Sequence, residues 1–232
     1  MAELPRGELI RAFVSLAVTL LVMIALLFGA AGTLRWAHGW WFMGVFVLIL
    51  ILISMAVLWR LNPEIFIARA RPTGAGTKGW DRRLLTVLLI AFAAILPVAG
   101  LDDGRFHWTR VSDWAVDLGY LLLLIGFVGT AWAQAVNRHF EPSVRIQSDR
   151  DHQLISTGPY AYVRHPGYVF GSLLVVGAAL ALGSFWALLP AAVVIALLVV
   201  RTKLEDATLQ RELPGYAAFA TKTRYKWIPG VW

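Results

Sequence analysis

Long apolar runs broken by short polar segments set the pattern of this chain. Four of them reach or approach the roughly 20 residues that a membrane-spanning helix needs: Ile10–Ala31, Trp40–Leu58, Leu84–Gly100 and Trp114–Ala135. A fifth run, Tyr168–Val200, is too long for one straight span and carries Gly183-Ser184 near its middle. It predicts a helical hairpin, Tyr168–Leu182 and Phe185–Val200, joined by a minimal loop. The expected architecture is all-α: a multi-pass transmembrane helix bundle of about six spans, the last two forming the hairpin. The small residues Gly126 and Gly129 are expected to let neighbouring helices approach closely.

Composition supports the membrane reading. Of the 232 residues, 59% are apolar and 15% charged, against roughly 45–50% and about 25% in an ordinary soluble domain. Mean hydropathy is +0.67. Disorder is excluded by the apolar content. The chain has no cysteine, which excludes a disulfide scaffold, cysteine-ligated zinc, iron–sulfur clusters and a thiol nucleophile.

The net charge of +7 raises the question of nucleic acid, and its distribution answers it. The N-terminus, the Trp59–Arg83 loop, the Val136–Pro166 loop and the tail from Arg201 hold 18 of the 21 basic residues. Only Arg35, Arg105 and Arg110 lie on the opposite side. By the positive-inside rule the basic side is cytoplasmic and so are both termini. No nucleic-acid partner is needed to explain the charge. Short loops and an Ala/Leu/Arg bias suit a bacterial inner membrane. Trp36, Trp40, Trp41, Trp59, Trp80, Trp108 and Trp114 stand near span ends, where they are expected as interface anchors.

The loops opposite the basic side read as short and plain. Polar sequence concentrates on the basic side, in Asn62–Asp81, in residues 136–166, and in the tail. Pro159 and Pro166 push their predecessors toward extended backbone and disfavour continuous helix across 152–168. Irregular backbone at the membrane edge is tolerated where it lines a cavity. The last span is expected to continue as helix to Pro214-Gly215. Arg201 and Glu205, four apart, share a face and can pair. His139, His152 and His165 invite a metal reading, but they lack the close pairing of metal-binding helices, and no metal is expected. Dinucleotide, P-loop and nucleophile-elbow motifs are absent.

One segment is distinctive. Residues 152–168 read HQLISTGPYAYVRHPGY, followed by Arg201, Glu205-Asp206, Leu209, Gly215-Tyr216 and Ile228-Pro229-Gly230. This combination resembles the signature of isoprenylcysteine carboxyl methyltransferases and, more widely, of membrane phospholipid methyltransferases. Asn62-Pro63-Glu64 is similar to bacterial members. The family pattern usually has two glutamates where this chain has Glu205-Asp206.

The resemblance implies an integral membrane methyltransferase that uses S-adenosyl-L-methionine, bound from the cytoplasmic side. Carried over residue by residue, the cofactor contacts are Gln147, His152, Gln153, Leu154, Ile155, Tyr160, His165, Pro166, Gly167, Tyr168 and Glu205. Gln147 requires a gap in the match. Arg201 and Glu205 stand at the catalytic positions, with Arg201 orienting the substrate. Backbone N–H groups of Ser156–Gly158 are candidates for the cofactor carboxylate. The implied division is a membrane region, 1–135, and a methyltransferase region, 136–232. The implied acceptor is lipid-like or prenylated and enters from the bilayer, with a carboxylate favoured because it needs no base. A small thiol or amine acceptor, and an NADPH-dependent membrane reductase related to sterol reductases, are the competing readings.

Overall fold

A computed structural model of the chain describes residues 6–53, 59–61 and 76–232. Asn62-Pro63-Glu64 and the end of the second expected span lie outside the described residues. Among those described, the structure is helical with no strand. The main helices are α1 (Arg6–Ala31), α2 (Ala37–Ile53), α3 (Gly79–Ala99), α4 (Asp113–Val136), α5 (Pro166–Ala181), α6 (Leu188–Glu212) and α7 (Tyr216–Lys222).

The first six stand at the six positions that the apolar runs predict. Three helical segments, Val14–Ala31, Gly79–Phe106 and Asp113–Val136, are long and apolar enough to cross a membrane unaided. Helices α2 and α5 are apolar but shorter. Helix α3 contains Pro97 and continues as a π-helical stretch, Gly100–Phe106. A proline inside a helix removes one backbone donor and crowds the preceding turn, and the wider turns begin three residues after it.

Helices α4 and α5 form the tightest pair, and glycine is the reason. A Cβ at Gly126 would stand 2.7 Å from Leu174 Cγ and 2.8 Å from the Phe170 carbonyl. One at Gly177 would meet the Leu123 amide at 2.5 Å, and one at Gly129 would enter the Phe170 ring. The expected role of Gly126 and Gly129 in close packing holds, and Gly119 and Gly177 extend the same seam.

The hairpin is present, with a correction. Its turn spans residues 182–187 and is therefore not minimal, and Gly183 adopts φ 72°, a left-handed conformation that glycine takes without penalty. Helix α6 then runs unbroken to Glu212, so the arm and its polar extension are one rod.

The opposite-side loops are not plain. Asp102 is fully buried and accepts hydrogen bonds from the Thr109 amide (2.8 Å), Thr109 Oγ1 (2.6 Å) and Ser184 Oγ (2.6 Å). Asp103 accepts from Trp36 Nε1 at 2.6 Å and bonds His38 Nδ1 at 2.7 Å. Trp36 is consequently buried and serves this network, contrary to its expected role as an interface anchor. Trp40, Trp41, Trp108 and Trp114 are exposed, as anchors would be. The network ties the α1–α2 turn, the end of α3 and the α5–α6 turn together at one end of the bundle. Of the polar segments predicted for the basic side, residues 78–81, residues 136–166 and the tail gather at the other end.

Candidate functional site

The site forms where the start of α3, the end of α4, the start of α5 and the polar part of α6 meet, roofed by residues 137–165 and by the tail. A partly open cavity of about 200 Å³ lies there. Its wall contains Gln147, His152, Gln153, Leu154, Ile155 and Tyr160, then His165, Gly167 and Tyr168, then Arg201 and Glu205. These are all the residues expected at the site except Pro166, which is buried at the N-terminus of α5 and does not line the cavity. Proline suits that first helical position, where no backbone donor is needed. Ser156–Gly158 do not line the cavity either. A Cβ on Gly158 would approach Val136 and Trp132 of α4, so this turn is held against the helix, and the amides expected to bind the cofactor carboxylate lie outside the cavity wall.

The 137–155 loop has little regular structure and is held by side chains. Gln147 is buried, donates from Nε2 to the His139 carbonyl (2.7 Å) and bonds His139 Nδ1 through Oε1 (3.3 Å). The Gln153 amide donates to His139 Nε2 at 3.1 Å, which fixes His139 as the neutral tautomer carrying its proton on Nδ1. The Gln147 amide donates to His152 Nδ1 at 3.2 Å, so that nitrogen is also an acceptor. The two imidazoles lie 4.5 Å apart between centroids. Burial lowers the pKa of both, and the neighbouring His139 adds to it at His152, which falls to about 4. Arg145 braces the loop, bonding Glu141 (2.7 and 2.9 Å) and Asp149 (2.5 and 3.3 Å). Tyr160 is buried, accepts from Asn137 Nδ2 at 3.0 Å, and is held well above the usual tyrosine pKa by that burial.

The second half of the site is organised by Asp206. Arg164 grips it with a two-bond fork, Nε–Oδ1 2.8 Å and Nη2–Oδ2 3.2 Å. Tyr216 Oη donates to Oδ1 at 3.0 Å, Gln210 Nε2 to Oδ2 at 2.8 Å, and His165 Nε2 lies 3.3 Å from Oδ1. Burial opposes the charge, but His165 and Arg164 hold Asp206 well below the usual carboxylate range. Arg164 also donates to the carbonyls of Ala220, Thr223 and Arg224, and so pins the tail across the site.

Arg201 and Glu205 do not form the expected pair. Arg201 is buried and turns toward α3, bonding Asp81 through Nε (2.7 Å) and Nη2 (3.1 Å) and the Pro142 carbonyl through Nη2 (2.5 Å). The fully buried Asp81 carboxylate offers two charge-assisted bonds in fork geometry, whereas Glu205 offers a partly solvated carboxylate on the same helix. Glu205 instead accepts a short hydrogen bond from Tyr168 Oη. The Tyr168 ring stacks parallel to His165, 5.8 Å between centroids, and lies under the Arg201 guanidinium at 5.6 Å. With Arg201 neutralised by Asp81 and Asp206 by Arg164, Glu205 is left as a cavity-wall carboxylate bonded to a neutral hydroxyl. Asp81, His139 and Phe140 were not expected at the site. A histidine at position 139 was visible in the sequence, and nothing there marked its ring as a loop brace.

Known proteins place this architecture. The family model for phospholipid methyltransferase matches residues 114–214, from the first turn of α4 through the polar end of α6. Over this stretch, somewhat under half of its length, the chain is similar to the membrane methyltransferases. The cobalt-zinc-cadmium resistance protein CzcN of Cupriavidus metallidurans is 30% identical over 135 residues, 54% of this chain and 56% of that protein. The protein-S-isoprenylcysteine O-methyltransferase of Schizosaccharomyces pombe is 38% identical over 68 residues, 29% of this chain and 28% of that protein. The matches thus span about half of the first relative's length and about a quarter of the second's. Asp81, Tyr216 and Phe219, all in or around the cavity, fall outside the matched methyltransferase stretch.

Proposed function

We propose that this chain is an integral membrane methyltransferase that takes its methyl group from S-adenosylmethionine and transfers it to a lipid-like or prenylated acceptor. The observation that carries the reading is Glu205: a carboxylate in the wall of a cavity built largely within the family-matched stretch, hydrogen-bonded to Tyr168 and in no direct ion pair with an arginine among the described residues. Such a group favours a cationic ligand, and the donor set fits this cofactor. When bound, S-adenosylmethionine supplies a sulfonium-borne methyl whose C–S bond breaks toward sulfur as the acceptor oxygen takes the carbon.

The residues of the chain do the positioning. Glu205 holds a cationic centre, and Tyr168 and His165 offer parallel ring faces beside it. The neutral imidazoles of His139 and His152, with Gln147 and Gln153, shape the opposite wall without adding charge. Leu154, Ile155 and Gly167 close it with apolar surface and exclude water from the transfer. Arg201 orients the acceptor. A carboxylate acceptor is already nucleophilic, so the transfer forms a methyl ester and requires no protein base. In-line displacement then depends mainly on alignment. The methyltransferase region is 136–232 and the membrane region 1–135, with the basic end and both termini in the cytoplasm of a bacterial inner-membrane protein.

The test uses purified protein in lipid nanodiscs with radiolabelled S-adenosylmethionine and a bacterial membrane-lipid extract. Label recovered in the organic phase, with S-adenosylhomocysteine binding detected by calorimetry, is the expected result. Folded protein that binds neither cofactor form refutes the reading.

A further inference from the structure

Asp81 stands near the N-terminus of α3 in the first turn, where the helix dipole favours a carboxylate. Its side chain is fully buried. It accepts the Val144 amide at 2.6 Å, fixing the loop that roofs the cavity, and takes Nε and Nη2 of Arg201 at 2.7 and 3.1 Å. The Pro142 carbonyl takes a further Nη2 hydrogen. A guanidinium has five N–H donors in a fixed fork. Three are thus committed away from the acceptor, while the guanidinium stays over the Tyr168 ring in the cavity wall. Nη1 makes no hydrogen bond among the described residues.

We infer that Asp81 is a positioning residue for the acceptor: it holds the inner edge of Arg201 so that only Nη1 is presented, and the acceptor is recognised end-on by one nitrogen instead of by a two-bond fork. This rests on the methyltransferase reading above and sharpens it. The acceptor group therefore need not be a planar carboxylate matched to a fork; a single anionic or polar oxygen suffices. It also gives the membrane region a part in substrate selection, since Asp81 lies outside the family-matched stretch.

The test compares wild type, Asp81→Asn and Asp81→Glu as full chains in nanodiscs, with N-acetyl-S-farnesylcysteine as the acceptor probe. Asp81→Asn removes the charge. Asp81→Glu keeps it and displaces the guanidinium by one methylene. Expected in any variant that folds is S-adenosylhomocysteine affinity within about twofold of wild type and an acceptor KM raised about tenfold, with kcat changed less. Phenylglyoxal labelling of Arg201, read by peptide mass spectrometry, is expected to quicken in both variants. An unchanged KM in a folded variant overturns the proposal, and so does a parallel loss of cofactor affinity, kcat and thermal stability. Should wild type neither bind S-adenosylhomocysteine nor methylate the probe, the methyltransferase reading fails, and labelling alone decides: equal rates in wild type and Asp81→Glu overturn the positioning role.

Discussion

Replacing Glu205 by Gln tests the charge that carries the functional proposal. The substitution is nearly isosteric, and the amide oxygen still accepts the Tyr168 hydroxyl. Glu205 has a side chain 22% exposed, with His165 Nδ1 4.0 Å away, so the lost interaction is that of a partly desolvated carboxylate. A hydrogen bond to a charged group is worth about 1.5–3 kcal/mol, which converts to roughly 10- to 150-fold in affinity. Calorimetry of S-adenosylmethionine and of S-adenosylhomocysteine then locates the contact. Both carry the ammonium, but only the first carries the sulfonium. Equal losses place the ammonium or ribose at Glu205, and a larger loss for S-adenosylmethionine places the sulfonium there. Unchanged affinity for both, in a variant whose thermal unfolding matches wild type, refutes the argument that this carboxylate recruits the ligand.

Further expectations follow from other parts of the structure. His139 and His152 have pKa values below the ordinary 6.5, so the unfolded chain binds more protons than the folded one as acidity rises. Their contribution to stability is complete above pH 6.5 and declines toward pH 4, the value reached by His152. Melting temperatures across that range should show the slope, and a His139→Gln/His152→Asn variant should flatten it. Gly126→Ala drives a Cβ against Leu174 and the Phe170 carbonyl and should cost about 1–3 kcal/mol, measured by thermal unfolding. Gly44→Ala, with open space around it, should cost far less. Arg164→Lys keeps the charge but loses the fork that joins Asp206 to the tail carbonyls; trypsin should cut after Lys222 sooner than in wild type. The chain lacks cysteine, so topology is testable by single substitutions: Arg110→Cys should react with an impermeant maleimide on intact cells, and Lys222→Cys only after permeabilisation.

The helices were legible because burial in lipid demands long apolar runs, and such runs survive any detail of packing. The hairpin was legible for the same reason, with Gly183 marking its turn. One side of the cavity wall was legible through one dense motif, His152–Tyr168, whose residues are neighbours in sequence and remain neighbours in space. What escaped was pairing at a distance. Arg201 and Asp81 are 120 residues apart, and a periodicity argument naturally paired Arg201 with Glu205 on its own helix. That argument counts only intrahelical neighbours, and a buried carboxylate across a helix interface outcompetes a partly hydrated one nearby. The same blindness hid the roles of Trp36, taken by Asp103, and of His139, taken by Gln147.

The Asp102 and Asp103 network lies about one bundle length from the cavity. Helix α3, with 21 residues, is about 30 Å long at 1.5 Å per residue. With its far end tied by Thr109, Ser184, Trp36 and His38, helix α3 has its longest lever arm at the cavity end. On a lever of that length, a rotation of about 5° about the tied end would shift the near end by about 2.5 Å. The glycine seam resists such rotation between α4 and α5, where backbones already touch. Helices α3 and α6 are joined at that near end by the buried Asp81–Arg201 fork, so the ion pair that shapes the cavity wall also clasps the free end of the bundle.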